Sequence, residues 1–237
     1  MELYWLEQSA ADVPVPDNWL STNERFRLAE MKVAKRKSDW RLGRWTAKIA
    51  VAGYLGLSAE PVELSGIEIR PDASGAPEAF VKDKAIRISL SLSHREGIGI
   101  CAAAPEDVAL GCDLELVEPR SEAFTAGYFT AEEQKTISGS PAALRDLLVM
   151  VLWSAKESAL KALRTGLRLD TRSVSAILHN GFPSALHPEM GTWRPLSVRH
   201  ADQVFPGWWA CVDGFVRTAV SIPAANAPVS ARFVSLR

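Results

Sequence analysis

The chain has 237 residues, a hydrophobic fraction of 47% and a formal net charge of −1, enough apolar material for one large domain or two of ordinary size. The neutral balance argues against a nucleic-acid or membrane-surface protein, and no apolar run reaches the ~18 residues of a membrane span. Cys101, Cys112 and Cys211 are far apart and lack CxxC spacing, which excludes a zinc or disulfide framework and suits a reducing, cytoplasmic setting.

The opening MELYWLEQ lacks the basic-then-apolar pattern of a signal peptide. Residues 1–20 read as an edge strand and then a loop with Pro14 and Pro16. Thr22 or Asn23 is placed to cap a helix from about Glu24. From Arg25 to Lys48 nine basic residues face two acidic ones, and charge alone reads equally well as a solvated helix face. Within it Arg41, Arg44 and Lys48 recur at helical spacing beside Leu42, Trp45, Ile49 and Ala52. Val62 to Ile69 reads as a strand, RPDASGAP as a turn, and Ile86 to Leu92 as an alternating strand ending at Ser93-His94. Residues 97–105 read as a buried strand. Pro105-Glu106-Asp107 then divides an N-terminal half (1–105) from a C-terminal half (106–237). The later half offers helices at roughly 121–139 and 142–165, with Gly166 as the glycine ending the second, and then four strands. In YFTAEEQ, Thr130 and Glu133 have capping-box spacing. His179, His187 and His200 lie in loop-like surroundings and receive no role.

Two stretches carry chemistry. VALGCDLELVEP places Asp113 and Glu115 at alternate positions of an apolar strand, so both carboxylates project from one side. WSAKESALK (153–161) reads as helix, with Trp153, Glu157 and Lys161 on one face. Taken alone, Glu157 and Lys161 are an ordinary helical ion pair and the two acids a solvated strand face. Taken together, converging carboxylates call for a divalent cation, and three hard oxygen ligands suit Mg²⁺, with Lys156 and Lys161 beside a polyphosphate.

LGCDLE at 110–115 followed by WSAKESALK at 153–161 resembles the paired motifs of the 4′-phosphopantetheinyl transferases of the larger, surfactin-synthetase-activating (Sfp) type. The first motif departs from that pattern only at Cys112, where an aliphatic residue is usual. The resemblance implies an α+β fold of two similar halves about a pseudo-twofold, with coenzyme A bound between them, monomeric as a pseudo-dimer in one chain. It implies transfer of 4′-phosphopantetheine from coenzyme A to a serine of an apo acyl carrier protein or peptidyl carrier domain, releasing 3′,5′-ADP. Asp113, Glu115 and Glu157 are then the Mg²⁺ ligands, with Mn²⁺ a possible substitute. Arg44, and with less weight Arg41 and Lys48, matches a basic stretch that holds the 3′-phosphate. Ser93 and His94 match a pair touching phosphates. Gly75 and Pro77 match a G-K-P element whose lysine is here Ala76. Lys156 and Lys161 face the phosphates. Glu157, Glu133 or a metal-bound water takes the serine proton. Phe124, Tyr128 and Phe129 are candidate anchors for the carrier, or simply helix core.

Overall fold

Ser21 opens the first helix. Its hydroxyl accepts the Glu24 amide and the Glu24 carboxylate accepts the Ser21 amide in return. The cap thus falls one residue before Thr22. The computed structural model describes residues 1–179, 181–182 and 191–230, so His187 lies outside the described residues. Strand β1 (Tyr4–Ser9) precedes helix α1 (Thr22–Glu30). The basic stretch breaks at 31–33 and resumes as α2 (Ala34–Leu55), which stops at Gly56 with φ 66°.

Val62 does not begin a strand. Proline suits a first helical position, and Pro61 starts the one-turn helix α3 (Pro61–Leu64). Strand β2 (Ile67–Pro71) follows, and then a turn in which the Asp72 carboxylate accepts the Ser74 and Ala76 amides. Gly75 sits in that turn at φ 95°, before β3 (Pro77–Val81) and β4 (Lys84–Ala85). Strands β5 (Ile88–Arg95) and β6 (Ile98–Pro105) form a hairpin. Because β5 runs further than expected, Ser93 and His94 lie within it, opposite Ile100 and Gly99.

Strand β7 (Ala109–Leu116) leads to α4 (Glu122–Tyr128), α5 (Ala131–Ser138) and α6 (Arg145–Ala162). The helix expected over 121–139 is therefore two helices, because Thr130 caps a new one. Helix α6 ends before Gly166: Arg164 takes the left-handed conformation at φ 56°, and Gly166 at φ 53° belongs to the next turn. Strands β8 (Val174–Leu178), β9 (Arg194–His200), β10 (Gln203–Val212) and β11 (Phe215–Ile222) make a meander, and β12 (Val229–Ser230) comes last.

The chain divides into two units. One is Leu3–Asp107 together with β12, and the other is Val108–Pro228 together with Met1–Glu2. The first has a sheet of order β12-β1-β6-β5 beside a small β2-β3-β4 sheet, and the second a sheet of order β7-β11-β10-β9-β8. One buried cluster, including Trp45, Ile49 and Val51 of α2, forms the core of the first unit. Another, including Leu148, Leu152 and Leu160 of α6, forms that of the second. Each unit repeats one order of elements: a strand, a capped short helix, a long helix, further strands, and a final hairpin whose last strand pairs antiparallel with the first. Among the described residues no helix is long and apolar enough to cross a membrane.

Candidate active site

Strand β7 carries Asp113 and Glu115, and α6 lies against it with almost no gap. The approach is possible because residue 111 has no side chain: a Cβ there would meet the Ser158 carbonyl oxygen at 1.7 Å. Thr218 of β11 stands opposite Asp113 in register, and its hydroxyl bonds those of Ser154 at 2.8 Å and Ser158 at 2.7 Å. Held this close, the stripe Trp153, Glu157 and Lys161 turns toward the two acids. Lys161 Nζ donates to Asp113 Oδ1 at 2.7 Å and to the Cys112 carbonyl at 2.9 Å. Burial opposes the charge on Lys161, but Asp113, Cys112 and Glu157 together more than offset it and leave the ammonium pKa raised. Trp153 Nε1 donates to Glu115 Oε1 at 3.0 Å.

Glu157 is the least satisfied member. Burial, with the neighbouring charges of Asp113 and Glu115, pushes its pKa up to about 7 against the pull of Lys161. Its Oε1 is buried with no hydrogen-bond partner among the described residues. Three acids were expected to meet around one ion. Among the described residues, however, no group of three His, Cys, Asp or Glu side chains has the spacing to hold a metal. Lys161 holds one oxygen of Asp113, and the Trp153 indole holds one of Glu115. The donor types still suit a hard cation: all three are carboxylates, burial and the other two charges raise the Glu157 pKa, and the buried Glu157 Oε1 has no donor among the described residues.

Several expected site residues are engaged elsewhere. Glu133 closes the capping box of α5 through Oε2 and accepts the Ala176 amide on Oε1 at 2.8 Å. Lys156, fully buried, pairs with Glu133 at 2.7 Å and donates to the carbonyls of Tyr128 and Thr171. Both side chains are committed to these contacts. Lys48 is the counterpart in the first unit. Fully buried, it pairs with Glu24 and donates to the carbonyls of Trp19 and Leu64, while Glu24 accepts the Ile69 amide. Burial lowers the pKa of both lysines, and their glutamates oppose the fall. Arg41 is tied to Asp17 and to the carbonyls of Pro14 and Val15.

The matching of these two networks was the signal the sequence reading missed. Trp45-Thr46-Ala47-Lys48 and Trp153-Ser154-Ala155-Lys156 repeat four residues almost unchanged, each downstream of a capping box ending in glutamate. A helical lysine that pairs across the fold looks, in sequence, like any solvated lysine. Replacing Lys156 with methionine should cost about 3–5 kcal/mol in urea unfolding, because Glu133 is left buried and uncompensated. Adding Glu133→Gln should recover part of that loss.

In the first unit Arg44 remains the candidate for a phosphate. Burial lowers its pKa, Glu24 and Arg27 act on it in opposite senses, its guanidinium lies 5.0 Å from the Trp40 ring, and its Nε has no partner among the described residues. His94 is exposed and Ser93 half-buried. Gly75 and Pro77 offer a ligand only backbone and ring. Phe129 is core, whereas Phe124 and the exposed Tyr128 pack edge-on against Trp153.

Residues 109–212, from β7 to the end of β10, match the model of the 4′-phosphopantetheinyl transferase superfamily. That span holds Asp113, Glu115, Trp153, Glu157 and Lys161. No curated protein matches the chain.

Proposed function

We propose that the chain transfers 4′-phosphopantetheine from coenzyme A to a serine of an apo acyl or peptidyl carrier protein, in the manner of the larger Sfp type. On this reading it is a pseudo-dimer within one monomeric chain, at work in the cytoplasm. The observation that carries the reading is the cluster on β7 and α6, Asp113, Glu115, Glu157 and Lys161, inside the matched span. Asp113, Glu115 and Glu157 would hold Mg²⁺, or Mn²⁺ in its place. When bound, the ion would neutralise the pyrophosphate and stabilise the departing oxygen. Lys161, whose ammonium stays charged beside Asp113, faces the same phosphates. Arg44, with Ser93 and His94, takes the 3′-phosphate, where a guanidinium fork suits a terminal phosphate.

In the reaction the serine oxygen attacks the β-phosphorus, a new P–O bond forms, the bond to the leaving phosphate breaks, and 3′,5′-ADP departs. Glu157, whose buried Oε1 has no hydrogen-bond partner among the described residues, would take the serine proton. Glu133 is not used, because its carboxylate is already committed to α5 and Lys156. Incubated with an apo-carrier, coenzyme A and Mg²⁺, the protein should raise the carrier mass by one phosphopantetheine. Free phosphopantetheine with an unmodified carrier would show a hydrolase instead, and neither product would remove the proposal.

A further inference from the structure

We infer that Trp153 is a positioning residue that aims Glu115 without neutralising it. This inference rests on the functional reading above for the identity of the cation. Lys161 and Trp153 are donors of two different kinds to the acids of β7. Lys161 brings a full positive charge to Asp113 and so cancels part of what attracts a metal. The Trp153 indole N–H is a donor only and carries no charge, so it fixes one oxygen of Glu115 at 3.0 Å without itself adding a positive charge. A glutamate on a strand has three side-chain torsions to settle, and an oriented outer partner restricts them before a ligand arrives. The indole is itself held: Phe124 and Tyr128 each stand edge-on to it with centroids 5.1 Å away, and only 8% of the residue is exposed.

The first unit contains the same bond without the chemistry. Trp45 Nε1 donates to Gln8 Oε1 at 3.1 Å, and Trp45 packs edge-on against Trp19 at 5.3 Å. With Trp45 matched to Trp153 and Gln8 to Glu115, the position of Asp113 falls on Leu6, that of Glu157 on Ile49 and that of Lys161 on Gly53. The strand-to-helix bond therefore belongs to the framework of both units, and only in the second does its acceptor carry a charge. That gives an internal control, since a purely structural role would make the two tryptophans equivalent.

The test compares Trp153→Phe with Trp45→Phe. Both keep an aromatic ring and lose the N–H, so both should lower the melting temperature by similar amounts without metal. Only Trp153→Phe should weaken Mn²⁺ binding, by about tenfold or more in a paramagnetic titration, and raise the Mg²⁺ concentration needed for half-maximal transfer. In the wild-type protein the indole ¹⁵N–¹H signal of Trp153 should move on adding Mg²⁺ while that of Trp45 stays still, a reading that survives even if the Phe variant folds poorly. Wild-type metal affinity in Trp153→Phe, equal weakening in Trp45→Phe, or a Trp153 signal indifferent to Mg²⁺ would each overturn the inference and leave the transferase reading standing. A wild-type protein that binds no metal and modifies no carrier would overturn both.

Discussion

Replacing Gly111 with alanine should destabilise the protein by roughly 4 kcal/mol or more, or abolish soluble expression. The added Cβ would lie 1.7 Å from the Ser158 carbonyl oxygen, 2.7 Å from its carbon and 2.9 Å from the Ala162 amide nitrogen. All three are backbone atoms of α6, so no side chain can swing aside. The helix has to retreat from β7, and overpacking of this kind costs about 1–3 kcal/mol by itself, occasionally more. Retreat also strains the hydroxyl bonds from Ser154 and Ser158 to Thr218, worth about 1 kcal/mol each. Gly127 in α4 is the control, since a Cβ there meets nothing within 4 Å among the described residues. Urea unfolding should find Gly127→Ala at or slightly above wild type and Gly111→Ala far below. A Gly111→Ala protein of normal stability would mean that the helix does not lie so close.

Glu157→Gln should move stability and activity in opposite directions. The carboxyl titrates near 7 in the folded protein, against an ordinary value of 4.5. Between those values the folded state binds more protons than the unfolded chain, so this group lowers stability as pH rises from about 4.5 to about 7. Above that range the full cost of the charge is present, and below it the cost is gone. A neutral glutamine of the same shape should therefore stabilise the metal-free protein at pH 8 by on the order of 1–2 kcal/mol, after allowance for solvent screening, and by nothing at pH 4. Transfer should fall by about 10²–10³-fold, because one carboxylate has left the place where charge and proton are handled. Thermal melts at the two pH values and carrier mass spectrometry read both effects. A variant less stable than wild type at pH 8, or one that keeps full turnover, would take Glu157 out of its proposed role.

The parts of the site legible in the sequence were those whose geometry is local. Alternation on β7 and the four-residue period of α6 put Asp113 with Glu115, and Trp153 with Glu157 and Lys161, on single faces, and those faces do meet. What depended on distant partners was not legible. Lys48 shares a helical stripe with Arg41 and Arg44 and was read with them, yet its partners are Glu24, Trp19 and Leu64. Glu133 carried two readings, and the amide of Ala176, 43 residues away, favours the structural one. Val62 belonged to an apolar run that reads as strand, but the preceding Pro61 starts a helical turn. The recurrence of these contacts shows in the sequence as only four letters, Trp45 to Lys48 against Trp153 to Lys156.

The chain's two ends trade places. Met1 and Glu2 belong with the later residues, and the Met1 carbonyl accepts the Asn226 amide at 2.9 Å; β12 belongs with the earlier ones, adding a strand alongside β1. Cutting between Asp107 and Val108 would therefore not release two self-sufficient halves. The front fragment would expose an uncovered stretch of β1, the kind of raw margin that invites clumping. Each fragment would hold a piece the other requires, which makes the break a natural place to build a complementation reporter whose signal returns only when both are present.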